Sequence, residues 1–281
     1  MIRMVADRGR AILLGVVLVA ASALTGMPRS AGAQAHAQRV TLRIRPPVGD
    51  TLRMAMQQQF DLAPEDSTGA IERSMTGALL VWTHAVVLGR SGTTTDLVSI
   101  TDSVVVQPPS AAALPPLRDA KRALEGRSVH MRVSEDGELN IERPGGEALG
   151  LGPNMPSLLP SAAVRVGESW TRELQVPLST TRNAVAKVHT TFRLDSLSEG
   201  GGVAYVSLRG VVSHDHAEDR GGMTGRTTGT LTGTLQVDRR LGWITDSRMT
   251  VTLLSTAAPA GRPPTRLHVR IAQSMRALPE R

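Results

Sequence analysis

A two-residue period in the apolar side chains constrains this chain more than any other feature. Val40, Leu42 and Ile44 alternate with Thr41, Arg43 and Arg45. Leu52, Met54, Met56, Phe60 and Leu62 share one parity, with Arg53, Gln57, Gln59 and Asp61 on the other. Gly229, Leu231, Gly233, Leu235 and Val237 alternate with a run of threonines, and Leu267, Val269, Ile271 and Met275 alternate with Arg266, His268, Arg270 and Arg276. Successive side chains on a strand project to opposite faces, so each run predicts a strand with one apolar and one solvated face. One-sided strands of this kind belong to antiparallel sheets.

Turn chemistry predicts a meander. Gly89–Thr93, Glu135-Asp136-Gly137, Gly200-Gly201-Gly202 and Arg239-Arg240-Leu241-Gly242 each separate two alternating runs, as hairpin loops do. Helix is scarce. Leu117, Ala120, Ala123 and Leu124 recur at helical spacing, and Gly126 is placed to stop them, so one short helix is expected over 117–126. The fold class is therefore mainly β: a large curved antiparallel sheet, a half-barrel-like meander of two similar lobes, with one short helix.

The lobes are an N-terminal meander over 34–143 and a C-terminal meander over 164–281, joined by a Gly/Pro-rich crossover over 144–163. Val48-Gly49-Asp50-Thr51-Leu52-Arg53 parallels Val166-Gly167-Glu168-Ser169-Trp170-Thr171-Arg172. Each is followed by a strand and then a hairpin, through duplication or through two strands entered by the same glycine turn.

Residues 1–33 read as an export signal. Arg3, Arg8 and Arg10 form a basic start, Ala11–Leu24 is uncharged and mostly aliphatic, and Ala31-Gly32-Ala33 offers small residues for cleavage. The uncharged run ends at Met27-Pro28-Arg29, short of the roughly 20 residues that cross a bilayer core. No integral span is expected after cleavage. The chain contains no cysteine, which excludes cysteine acylation, disulfides and thiolate chemistry. A bacterial periplasmic or secreted location follows. Removing the four arginines and one aspartate of residues 1–33 leaves 28 basic and 24 acidic residues of the original 32 and 25. That mild surplus and only six aromatic residues argue against nucleic acid, which needs clustered charge and stacking platforms.

Leu158-Leu159-Pro160, Val164-Arg165-Val166-Gly167-Glu168-Ser169-Trp170 and the pair Gly229–Asp238 and Gly242-Trp243 resemble the Leu-Pro…Val-x-Val-Gly-Asp-x-Trp signature of a family of uncharacterised exported bacterial β-proteins. Leu124-Glu125-Gly126 and Val133–Leu139 fit the same pattern. The resemblance implies a fold and a compartment, and no activity. More loosely, such chains are similar to the helix-plugged half-barrels of periplasmic lipoprotein carriers.

Candidate chemistry is sparse. His214, His216 and Glu218 form the densest group of potential metal ligands. On a strand the two histidines share a face and can hold zinc or copper with a carboxylate; the competing reading is a solvated hairpin end before Arg220-Gly221-Gly222. His84, in the doubly apolar run Leu79–Leu88, is expected to be buried and hydrogen-bonded. Arg266, His268 and Arg270 form a basic row on an outer face. Trp82, Trp170, Phe192 and Trp243 fall at the core parity of their strands. Neither a Gly-x-Ser-x-Gly elbow nor a Ser-x-x-Lys pair occurs. The paired carboxylates Glu65/Asp66 and Glu135/Asp136 sit in turns, and no phosphate-cradling loop is present. We expect no catalytic residues and no cofactor. The leading expectation is a non-enzymatic envelope protein that binds an apolar ligand, a lipid or a lipidated partner. A structural module docking another envelope protein is the alternative, followed by a metal-dependent enzyme using His214 and His216.

Overall fold

A computed structural model of the chain describes residues 39–65, 69–71, 74–108, 115–142, 154–155, 157–177, 185–219, 223–259 and 264–279. The expected export signal over 1–33 and most of the expected 144–163 crossover lie outside the described residues. In chain order the elements are β1 (Thr51–Glu65), β2 (Met75–Ser91), β3 (Thr94–Gln107), α1 (Pro115–Leu124), β4 (Ser128–Ser134), β5 (Leu139–Glu142), β6 (Asn154–Met155) and β7 (Ser169–Pro177). They continue with β8 (Val185–Leu197), β9 (Val203–Asp219), β10 (Met223–Asp238), β11 (Trp243–Pro259) and β12 (Thr265–Ala277). The expected turns fall between β2 and β3, β4 and β5, β8 and β9, and β10 and β11. The helix begins two residues earlier than expected, at Pro115-Pro116, because proline suits a first helical turn whose N–H groups have no intrahelical acceptor.

All twelve strands form one antiparallel sheet in the order β6-β5-β4-β3-β2-β1-β12-β11-β10-β9-β8-β7. Each strand neighbours the next in sequence, and β1 pairs with β12 from Met54↔Ala277 to Glu65↔Arg266. The two expected lobes therefore share a single sheet. The one consecutive pair without a ladder is β6 and β7, which leaves the sheet open along that seam.

The sheet curls so that its inner face meets itself. Val87 and Leu97 from β2 and β3 belong to one cluster with Val188, Phe192, Leu208, Leu231 and Met249 from β8 to β11. Strand β10 has no room for a side chain at two inner positions: a Cβ at Gly229 would collide with the Thr252 carbonyl and with Leu253 Cδ2, and one at Gly233 would collide with the Arg248 carbonyl and with Met249 Cγ. Glycine on the inner face lets neighbouring backbone close in and bend the strand. A smaller cluster, Phe60, Leu79, Val81, Val104 and Val106, takes Leu124 of α1 against it. The helix thus lies on the inner side, where β3 runs past the end of β4. Lys121 Nζ donates to the Val104 carbonyl at 2.8 Å.

Val40, Leu42 and Ile44 do not form a ladder strand. Their alternation is real, since all three are buried, but only Val40 bridges, to Val164. The segment is an extended insert into the large cluster. Ile44 N–H donates to Glu135 O at 2.8 Å and Arg45 N–H to Gly242 O at 2.7 Å. Period two reports alternating burial, which an inserted segment satisfies as well as a strand does.

Candidate functional site

The inner face is built in rows that the register makes explicit. His214, Thr227, Ser255, Leu267 and Pro64 are neighbours across β9, β10, β11, β12 and β1. Two residues further along each strand the row is Val212, Gly229, Leu253, Val269 and Leu62, then Gly210, Leu231, Val251, Ile271 and Phe60. The next row brings Gln273 of β12 opposite Gln58 of β1. These two glutamines occupy the gap in their apolar parities; both are buried, and Gln273 Nε2 lies 3.1 Å from Met56 Sδ. Between the polar row at His214 and the glutamines, the inner wall is almost wholly aliphatic. Val212, Leu231, Val251, Val269 and Phe60 are buried there, while Leu62, Leu253, Leu267 and Ile271, with Met56 one row beyond the glutamines and Leu124 of the helix, are half-buried, so solvent reaches part of this wall.

The seam side is held by the resemblance residues. Trp170 Nε1–H donates to Leu158 O at 2.9 Å, and its ring stacks on Phe192 with centroids 5.7 Å apart at 9°. Arg172, also at inner parity, donates from Nη2 to Leu159 O at 2.7 Å and from Nε to Ser157 Oγ at 3.1 Å. The N–H groups of Leu158 and Leu159 donate in turn to Asp136 O. A chain of contacts thus crosses from the β4–β5 turn to β7 without a ladder. Burial acts on the Asp136 carboxyl most strongly and upward, but hydrogen bonds from Ser134, Ser157 and the backbone together hold its pKa below 3.8. Glu135 pairs with Arg43 at 3.1 Å and with Arg45 at 3.6 Å. This acidic pair fastens the inserted segment and the seam.

Of the expected metal ligands, His214 is half-buried at inner parity and pairs with Thr227. Strand β9 carries the parity on to His216, opposite Gly225, but a register shift follows and sets Asp219 rather than Glu218 opposite Met223; the side chains of His216 and Glu218 lie outside the described residues. Among the described residues no group of three metal-capable side chains comes together. Beside His214, Thr227 Oγ1 and Ser255 Oγ share a hydrogen bond of 3.1 Å.

Two expectations fail on β2. Its buried parity is Leu79, Val81, Ala85 and Val87, which places Trp82 on the outer face rather than in the core. His84 shares that outer face. Its ring remains 29% exposed, bonded to Asp102 Oδ1 at 2.7 Å where a register shift opens β3 opposite Trp82 and Thr83. The cause is a strand apolar on both faces: Leu80, Trp82, Val86 and Leu88 face outward with Val98, Ile100 and Val105 of β3. The basic row is an outer face as expected, with its charges met from β1. Arg266 and His268 both lie 2.9 Å from Glu65, and Arg270 lies 4.0 Å from Asp61. Hydrogen bonds from His268 and then Arg266 hold the Glu65 carboxyl below its ordinary 4.5. Lys187 does the same for Glu173.

Thr227, Ser255 and Arg172 escaped the sequence reading. Each is a polar residue at a position whose parity is otherwise apolar, and that interruption was the available signal.

The model of a family of unknown function, DUF6263, matches residues 154–244, from β6 to the start of β11. No curated protein matches this chain significantly. Among solved structures, DynF from the dynemicin biosynthesis pathway of Micromonospora chersina is 10% identical with a TM-score of 0.25, covering 92% of this chain and 96% of that one. OpdQ of Pseudomonas aeruginosa is 8% identical with a TM-score of 0.23, covering 82% and 98%. The COG4313 outer membrane channel of Pseudomonas putida F1 is 12% identical with a TM-score of 0.22, covering 89% and 100%. At these TM-scores the likenesses carry no argument about function.

Proposed function

We propose that this is an exported, non-enzymatic protein of the bacterial envelope whose inner sheet face binds an apolar ligand or a lipid-modified partner. One observation carries the reading: aliphatic side chains of the inner face, Met56, Leu253, Leu267 and Ile271, stay half-buried inside a curled sheet. A sheet whose inner face served only as a core would cover them. Membrane-spanning barrels place their apolar band outside. Here the outer face of β8 to β12 carries Lys187, His189, Arg193, Arg209, Arg248 and Arg270, all exposed. No helix among the described residues is long and apolar enough to cross a membrane. The non-enzymatic reading draws on the engagement of the candidate acids, since Glu65, Glu135 and Asp136 are each tied into structural contacts. Export rests on the composition of residues 1–33.

Displacement of an environment-sensitive apolar dye by a long-chain fatty acid tests the reading. Saturable, competitive displacement supports it, and absence of any dye or fatty-acid binding sinks it.

A second reading, docking to another envelope protein, is favoured by the outer face of β2 and β3. There Leu88 is 53% and Val105 39% exposed beside Trp82, Val86, Val98 and Ile100. Apolar side chains grouped on one outer face, here on either side of the His84–Asp102 pair, mark interaction sites.

A further inference from the structure

One end of the sheet carries exposed aliphatic side chains among arginines. Strand β1 begins opposite the end of β2 (Thr51↔Val86), and β12 ends beside the start of β1 (Met54↔Ala277). Strand β11 in turn starts beside the end of β12 (Asp246↔Arg276). The β2–β3 turn, the β10–β11 turn and the approach to β1 therefore share one end. There Val48 is 55%, Leu88 53% and Leu241 43% exposed. Their backbones are neighbours. Gly49 N–H donates to Val87 O at 2.9 Å, which brings Val48 beside Leu88. Arg45 N–H donates to Gly242 O at 2.7 Å, which brings Leu241 beside Arg45, and Val48 follows three residues on, at most about 11 Å away. Hydrogen bonds fix both supports. Asp238 Oδ1 accepts from the N–H groups of Arg240 at 2.8 Å and Leu241 at 3.0 Å, and Arg90 Nη2 donates to Pro46 O at 2.6 Å.

The charge around these side chains is one-sided. Arg239 and Arg240 are exposed; Arg239 reaches the Gly201 carbonyl of the β8–β9 turn, and neither has a carboxylate partner among the described residues. Arg43 and Arg45 share the single carboxylate of Glu135. Asp238 is buried and taken up by the turn N–H groups, and Asp50 is matched in number by Arg90. We infer that this end docks on an anionic lipid surface, with Val48, Leu88 and Leu241 entering the acyl boundary and the arginines resting at the level of the phosphates. The assignment is independent of what the inner face binds. Aliphatic groups standing on separate turns form no groove or edge of the kind that holds a peptide or a small molecule. A bilayer surface is deformable and takes such groups singly, while arginine stems lie along its apolar boundary and their charged ends stay in water. The cationic surplus selects anionic over zwitterionic headgroups. Because the turns are already fixed, little ordering entropy is lost on docking.

Co-sedimentation with vesicles of phosphatidylcholine alone, and of an equal mixture with phosphatidylglycerol, tests the assignment. All proteins are expressed from the whole sequence, so every variant carries the same N-terminus. Wild type should bind the anionic vesicles at least about tenfold more tightly than the zwitterionic ones, and less tightly as salt rises. Arg239→Gln/Arg240→Gln should weaken anionic binding about thirtyfold, and Leu88→Ser/Leu241→Ser about tenfold or more. Arg209→Gln/Arg248→Gln removes the same charge from exposed positions on the outer face of β9 and β11 and should stay within about threefold of wild type. Equal binding to both vesicle types, or equal loss in the two arginine variants, overturns the assignment to this end. So does unchanged binding by Leu88→Ser/Leu241→Ser, and so does the absence of binding by wild type; each leaves the inner-face reading standing. Thermal unfolding checks that the variants are folded. Should Leu241→Ser disturb its turn, Leu88→Ser alone and the two arginine variants decide the matter.

Discussion

Gly242→Ala tests how the inserted segment is held. Gly242 has φ +59, and a Cβ there would overlap the carbonyl group of Arg45, whose N–H donates to Gly242 O. Gly92, in the β2–β3 turn, has φ +60 with nothing within 4 Å of an added Cβ. The two substitutions therefore carry the same left-handed backbone penalty, about 1–2 kcal/mol, and differ in the collision with Arg45. Gly92→Ala should cost that penalty alone. Gly242→Ala must also displace backbone that positions Val40, Leu42 and Ile44, which are 2%, 1% and 2% exposed. Full undocking forfeits about 1.5–3 kcal/mol for each of the three side chains, which sets a ceiling near 5–9 kcal/mol; partial relaxation should leave Gly242→Ala about 2–4 kcal/mol less stable than Gly92→Ala. Denaturant unfolding of both variants gives the difference. Hydrogen exchange should show protection at the Val40, Ile44 and Arg45 amides falling only in Gly242→Ala. Equal stabilities, or unchanged protection, refute the packing argument.

Further outcomes follow from the same contacts. Phe192→Ala, at a wholly buried ring stacked on Trp170, should cost about 3–5 kcal/mol in denaturant unfolding. Trp170→Phe keeps the stack but removes the donor to Leu158 O, and should cost about 1 kcal/mol with exchange rising at Leu158 and Leu159. Glu65 has a pKa lowered by His268 and Arg266, so its contribution is present above pH 4.5 and is lost as pH falls through the lower folded value. Glu65→Gln should accordingly flatten the acid limb of the stability–pH profile; an unchanged limb contradicts the assignment. With His214 serving as a hydrogen-bonding group, isothermal titration with micromolar zinc should give no heat, and stoichiometric binding would restore the metal reading of His214, His216 and Glu218.

The fold was legible where one face of a strand is apolar and the other is not. In β10 and β12 the alternation assigns inner and outer faces residue by residue, and Gly210, Gly229 and Gly233 mark inner positions with no room for a side chain. It was not legible in Leu79–Leu88, because periodicity cannot choose between Leu79-x-Val81 and Leu80-x-Trp82 when both are apolar. That choice is made by β1, whose Phe60 and Met56 lie opposite Gly77 and Val81. The insertion of Val40–Ile44 and the β1–β12 closure depend on partners more than 100 residues away, and no local pattern encodes them. The candidate site was half legible. His214 stood out as part of a cluster, but Thr227 and Ser255 acquire meaning only when register sets them beside it.

The most direct measurement is native mass spectrometry of the protein expressed from the whole sequence, residues 1–33 included, and purified gently from the expressing cells. Binding at the inner face predicts a mass excess that matches a lipid or another apolar ligand, lost on delipidation and restored by added fatty acid. A spectrum holding only the bare chain, together with no uptake of added fatty acid, would contradict the claim that the curled sheet is a binding surface and leave it an ordinary packed core.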